Sequence, residues 1–190
     1  PALFLGHGSP MNAITDSEYS RRWAEIGAEL PRPTAIVCVS AHWYIRGTAV
    51  TAMPQPRTIH DFGGFPRALF EVQYPAPGDP ALASRVRHLL APTEVIEDTS
   101  QWGLDHGTWS VLKHVYPKAD VPVVQLAIDA TKPLAGHYEL ARRLAPLRDE
   151  GVMVVGSGNV VHNLATVTWE PGAAPHPWAT RFNELVRSRL

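Results

Sequence analysis

"TAIVCVSAHW", residues 34–43, is the stretch on which the fold turns. From Thr34 to Ala41 it is nearly all apolar and β-branched, without the alternation of a strand that shows one face to water. Such a run is expected at the centre of a sheet covered on both faces. It closes on two small residues and then His42. "ALFLGHGSPM", residues 2–11, repeats the arrangement: a short apolar strand over 2–5, then His7 between two glycines ahead of a Ser-Pro turn. Two strand ends that each present one imidazole suggest a common target.

The neighbouring segments extend the pattern. Trp23, Ile26 and Leu30 have helical spacing within 16–30, and Pro31 and Pro33 end that helix. Residues 48–53 read as a strand beside 34–41, and "MPQPRTIHDFGGFP", 53–66, as a long surface loop. A helix over 81–90 and a short strand over 94–97 follow. Asp105 is placed to cap a helix over 106–116 with Trp109, Leu112 and Val115 inward. A buried strand over 121–128, a helix over 133–148, a strand over 152–155 closed by Gly156-Ser157-Gly158-Asn159, and a last helix in "WATRFNELVRSRL" complete the chain. Strands alternating with helices predict a single-domain three-layer α/β/α sandwich around a largely parallel or mixed sheet. In open sheets of this kind sites form beyond the carboxyl ends of the strands. His7 and His42 follow two such ends, and His162, in "VVGSGNVVHNL", follows a third.

Bulk composition narrows the function classes. A formal net charge of −1 without a basic run gives no footprint for nucleic acid or an anionic membrane. No apolar segment reaches bilayer-spanning length and no signal peptide is visible, so a soluble protein is expected. The single cysteine, Cys38, lies within an apolar run and cannot form an internal disulfide; a small core residue in a reducing cytoplasm is the expectation. Eighteen prolines and fourteen glycines fall between the apolar runs and read as turns.

Nine histidines require sorting. His88, His114, His137 and His176 sit in helices or a proline-flanked loop and read as solvated or locally packed. His60 lies in the long loop beside an acid and aromatics, where a structural role is favoured over a place at a pocket mouth. His7, His42 and His162 each lie close to a strand end among turn formers. Singly, each is as well explained by a bond to a nearby carbonyl. Together they read as a metal site, because neutral imidazoles are the commonest nitrogen ligands for iron and zinc, and three protein ligands leave positions open. His106, in "LDHGTW", would lie in the first helical turn, where the positive end of the dipole disfavours imidazolium. It is either a proton acceptor for a bound phenol or an ordinary residue at a helix start. "GSGNVV" lacks the third glycine of a dinucleotide fingerprint. Neither Ser9 nor Ser157 sits in a G-x-S-x-G elbow, and Trp43 and Trp109 read as core or pocket wall.

"GHGSP", "SAHW", "HDFGGFP" with "YPAPGDP", "DHGTW" and "GSGNVVHNL" occur in this order along the whole chain. The set resembles the DOPA 4,5-dioxygenase-like enzymes, class III extradiol dioxygenases related to the catalytic subunit of protocatechuate 4,5-dioxygenase. The resemblance implies that His7 and His42 bind the metal. It matches His162 to a histidine assigned to the metal in one group and acting as acid–base in another, and His106 to an active-site histidine that contacts substrate. It further implies a non-heme Fe(II) site, with Zn(II) as a possible occupant, that opens a DOPA-like or other small catechol with O2. Members usually continue for several tens of residues past a helix like that at 178–190, and a further ligand comes from that tail. The chain ends at Leu190, so the resemblance implies one catalytic domain over 1–190 whose C-terminal tail is missing. Neither residues nor resemblance set an oligomeric state. Two rival functions use the same histidines: a zinc hydrolase, for which no H-E-x-x-H pattern or acidic base beside the ligands is visible, and a non-catalytic metal-binding protein.

Overall fold

The computed structural model describes every residue except Trp169, Pro171 and Leu190. It divides into two units, Pro1–Gly158 and Asn159–Leu190. In the first, β1 (Ala2–Gly6), β2 (Ala35–Ile45), β3 (Thr48–Thr51), β4 (Val95–Asp98), β5 (Val123–Asp129) and β6 (Val152–Gly158) form one sheet. Its order is β1-β6-β2-β5-β3-β4. The ladders β1–β6, β6–β2, β2–β5 and β3–β4 are parallel, and β3 joins β5 antiparallel, so the sheet is mixed.

Both faces of the sheet are covered, which accounts for the unbroken apolar reading of β2. Ile36 and Cys38 enter one buried cluster and Ala35 and Val37 the other, the period-two alternation of a strand between two layers. On the first face lie α1 (Glu18–Glu29), through Trp23, and α4 (His106–Val115), through Trp109, Leu112 and Val115. On the second lie α3 (Pro80–Leu90), through Leu82, Val86 and Leu90, and the short α6 (Pro146–Asp149), through Leu147. Burying each such side chain stabilises by about 1.5–3 kcal/mol before entropy is charged against it. Cys38 is a buried free thiol, its pKa pushed up to about 12 by burial, and so a core residue. Among the described residues no helix is long and apolar enough to cross a membrane.

Four expectations are corrected. First, β2 does not stop at residue 41. It continues through His42 to Ile45, with its β5 register shifting between Val39 and Tyr44, so His42 projects from an irregular part of the strand. Second, β6 runs on through Gly156, Ser157 and Gly158, which pair with Phe4, Leu5 and Gly6 of β1. Third, β3 is not the neighbour of β2: the chain crosses the end of β5 and returns on its far side. There Ala130 N–H bonds Ile45 O at 2.7 Å, and Gly47 N–H bonds the Asp129 carboxylate at 3.0 Å. Fourth, the helix expected over 133–148 splits into α5 (Leu134–Arg143) and α6, because Pro146 cannot donate inside a helix and instead opens a new one.

The loop at 53–66 is tied down. Thr58 bridges Leu104, Ile59 N–H bonds Leu104 O at 2.7 Å, and the fully buried Trp109 donates its indole N–H to Ile59 O at 2.8 Å. Met53 and Pro56 are buried, and residues 58–62 are half-buried. A short helix, α2 (Arg67–Phe70), follows it. In the second unit, α7 (Pro177–Arg187) forms where the sequence places its last helix; His176 stands at its N-cap position without a side-chain cap, its Nε2 instead bonding Thr166 O at 2.7 Å. The expected helix ends at Leu190, which lies outside the described residues.

Candidate metal centre

Three histidines from separate elements of the first unit converge at the carboxyl edge of the sheet. His7 directly follows β1, His42 projects from β2, and His106 is the first residue of α4. His7 and His106 are 2% and 4% exposed, whereas the His42 side chain keeps 26% of its surface open, so the cluster is reached from the His42 side. Ring centroids stand 3.9 Å apart for His42 and His106, 5.0 Å for His7 and His42, and 5.4 Å for His7 and His106. One nitrogen from each ring lies within 4.8 Å of the others, which positions the three to bind a metal ion.

Local sequence explains each placement. Gly8 takes φ +62, the left-handed conformation that turns the chain off β1, and Asn12 Nδ2 bonds His7 O at 3.1 Å to fix that turn. Gly107 is required by proximity. A Cβ there would stand 3.1 Å from His42 Cδ2 and 3.2 Å from His7 Nδ1, so only glycine lets the first turn of α4 lie against both rings. Asp105 caps α4 as expected, accepting from Thr108 N–H at 3.2 Å. It is fully buried, which pushes its carboxyl up, and it accepts from Ser40 Oγ at 2.7 Å and from Gln125 Nε2. This network ties the start of α4 to β2 and β5 beneath the histidines.

The far side of each ring determines its tautomer. Ser157 Oγ donates to Gly107 O, so at 3.0 Å from His7 Nδ1 it is the acceptor, and His7 carries its proton on Nδ1. Asp61 Oδ1 accepts from His106 Nδ1 at 2.9 Å and from the His106 backbone N–H at 2.9 Å. Asp61 Oδ2 stands 3.4 Å from His42 Nδ1. Burial pushes the Asp61 carboxyl up, but the bonds from His106 outweigh it and hold the group below the usual carboxylate range. His7 and His106 are then acceptors at Nε2. His7 Nε2 and His42 Nε2 lie 3.2 Å apart. Two ring nitrogens at that distance share a proton or a cation between them. The separation matches what two ligands at roughly 2.0–2.2 Å from one ion span. The donor set therefore fits a borderline metal such as iron or zinc.

His162 belongs to the second unit, where its residue is exposed. The first unit alone brings together His7, His42 and His106. Three further histidines are engaged locally. His60 Nε2 bonds Val72 O at 2.9 Å among Phe62, Phe70 and Trp109; His114 bonds Asn12 O and His137 bonds Asp129 O. Phe62 meets the His106 ring edge-on at 5.5 Å, an apolar wall beside the imidazole. Sequence reasoning missed Asp61, Ser40 and Ser157. Asp61 follows His60 directly, yet its partners are 45 positions away in sequence.

Comparison with known proteins agrees with this geometry. Residues 1–188 match the family described as the catalytic LigB subunit of aromatic ring-opening dioxygenase. The chain is 62% identical to 4,5-DOPA dioxygenase extradiol of Escherichia coli over 190 residues, all of this chain and 70% of that protein. It is 40% identical to 4,5-DOPA dioxygenase extradiol of Beta vulgaris over 194 residues, 99% of this chain and 72% of that one. The crystal structure of an uncharacterized protein from Escherichia coli K12 superimposes with a TM-score of 0.84 at 56% identity, covering 98% of this chain and 71% of the other.

Proposed function

Because the chain belongs to the family of catalytic LigB subunits of aromatic ring-opening dioxygenases, we propose that it opens a small catechol by extradiol cleavage at an Fe(II) ion held by His7 and His42. The convergence of three ring nitrogens at the sheet edge, with the His7 and His42 Nε2 atoms 3.2 Å apart, carries the reading. When bound, the ion supplies coordination positions for the diol and for dioxygen and the electron transfer between them. Zn(II) suits the same imidazoles but lacks that redox chemistry. Relatives of this chain carry DOPA in their names, which supports DOPA or a close catechol as substrate.

The chain's own residues handle protons and exclude water. His106, with Nδ1 committed to Asp61, accepts the phenolic proton of the substrate at Nε2 and later returns it. Phe62 beside it keeps that face apolar. In the balanced reaction the ring bond next to the diol breaks and both atoms of O2 enter the product, a semialdehyde bearing a carboxylate. An acid does adjoin the cluster, contrary to the sequence expectation, yet it does not favour the hydrolase: Asp61 faces the Nδ1 side of the rings, where its oxygens are already engaged. A buried free thiol also suits a cytoplasmic enzyme.

The test is to load the full chain with Fe(II) anaerobically, add DOPA or another catechol, admit air, and follow oxygen uptake and a yellow product. Stoichiometric uptake supports the proposal. Stoichiometric iron with no uptake across a panel of catechols defeats it.

A further inference from the structure

We propose that Asp61 is the positioning residue for two of the imidazoles at once, one carboxylate oxygen per ring, setting the tautomer of His42, a ligand, and of His106, the proton acceptor, and so aiming both Nε2 atoms into the cluster. The inference rests on the reading that His7 and His42 hold that metal. Oδ1 receives both N–H groups of His106, ring and backbone, each at 2.9 Å, which fixes the ring and the first turn of α4 together. Oδ2 faces His42 Nδ1 at 3.4 Å, and the two rings lie with centroids 3.9 Å apart, side by side against the same carboxylate. A single group therefore spans an imidazole from β2 and one from α4, which no backbone ladder connects.

The carboxylate is itself held by the backbone. Two residues before it, Ile59 donates its N–H to Leu104 O and accepts the indole N–H of Trp109, while Thr58 bridges Leu104. The Asp61 side chain is 16% exposed, so it has little room to swing away. A ligating imidazole needs its second nitrogen engaged to fix ring orientation and tautomer, and partners of this kind are worth tenfold to a hundredfold in metal affinity. Ser157 does this for His7; Asp61 does it for both remaining rings.

Asparagine separates the role from simple packing. Asp61→Asn keeps shape and one acceptor oxygen but replaces the other with an NH2 group, which cannot accept a proton from an imidazole N–H. One of the two rings must then carry its proton on Nε2, which blocks a ligand if the ring is His42 and the proton acceptor if it is His106, and which disturbs the packing of the two rings against each other in either case. The experiment uses the full chain, metal-free and labelled with 15N at histidine, near pH 8, about where an ordinary imidazole is neutral. Long-range 1H–15N correlations read each tautomer, and Zn(II) alone is titrated in competition with a chromophoric chelator. Wild-type protein is expected to show Nδ1–H at His106 when metal-free, and Nδ1–H at His42 once Zn(II) is bound. D61N is expected to move at least one ring to Nε2–H and to weaken Zn(II) binding about tenfold to a hundredfold.

A wild-type spectrum with the proton on Nε2 of His106, or without Nδ1–H at His42 in the zinc-loaded chain, overturns the inference, whether or not D61N folds. So does a D61N protein that keeps both tautomers, or one that binds Zn(II) within about twofold of wild type. His7→Ala, run alongside, is expected to lose Zn(II). If it keeps the ion at full strength the underlying metal reading falls with the inference; if it loses the ion while D61N does not, Asp61 alone is dismissed.

Discussion

Replacing Gly107 by alanine probes how closely α4 is fitted against the histidines. The new Cβ would stand 2.5 Å from Ser40 Oγ, 3.1 Å from His42 Cδ2 and 3.2 Å from His7 Nδ1. The first of these lies roughly 1 Å inside ordinary van der Waals separation. Ser40 cannot yield easily, because its hydroxyl is held by buried Asp105 at 2.7 Å. Overpacking of such sites costs roughly 1–3 kcal/mol. Exchanging glycine for alanine within a helix returns about 1 kcal/mol. The expected net loss of stability is therefore about 0–2 kcal/mol, small enough for the variant to fold. Metal affinity is the sharper readout, since the methyl enters between His7 and His42 and each ring must retreat by a few tenths of an ångström. A drop of about tenfold or more in Zn(II) affinity is expected, in line with what misplaced ligand orientation costs. Thermal melting and Zn(II) titration of the same sample give both numbers. A G107A protein that gains a full ~1 kcal/mol and binds zinc like wild type refutes the close fit described here.

Ser157→Ala leaves His7 Nδ1–H and Gly107 O without their shared partner; a loss of about 1–3 kcal/mol in denaturant melts and about tenfold in Zn(II) affinity is expected. Asp98 accepts from the backbone N–H groups of Ser100, Gln101 and Trp102 at 2.7–3.0 Å. Burial pushes its carboxyl up, and those bonds bring it below its ordinary value, so the stabilisation is present above about pH 4 and fades as pH falls through the lower folded pKa. D98N should melt earlier at pH 7 and show a shallower fall in stability between about pH 5 and pH 3 than wild type. The resemblance that assigns His162 to the metal predicts that H162A loses bound metal, measured as ions per chain; full retention removes His162 from the ligand set.

The layering of the fold was readable because its cause is local. The run at 34–41 has no polar face, and only a central strand tolerates that, so a covered sheet followed from composition and period alone. Strand order was not readable. β5 enters between β2 and β3 because both β2 and β5 are apolar on two faces and compete for the centre, a contest no single segment reveals. Pro146 marked the break in the 133–148 helix, yet the amphipathic spacing on either side of it masked the interruption. In the site, His7 was legible from the glycines at a strand end and His106 from its capping aspartate, while His42 was singled out from small residues that mark a shift of register within β2 and not its end. Asp61 and Ser157 were not, since their importance lies in which far side of an imidazole they meet. That depends on how β6 and the 53–66 loop pack against α4, over sequence separations of 45 to 150 residues.

The central claim is that imidazoles distant in sequence share one cation at the carboxyl edge of the sheet. An anomalous-scattering map from crystals of the full chain grown with Fe(II) or Zn(II) tests it directly. The account predicts one strong peak within about 2.0–2.3 Å of both His7 Nε2 and His42 Nε2. A fully occupied ion bound elsewhere, with those two nitrogens bridged only by a proton, contradicts it.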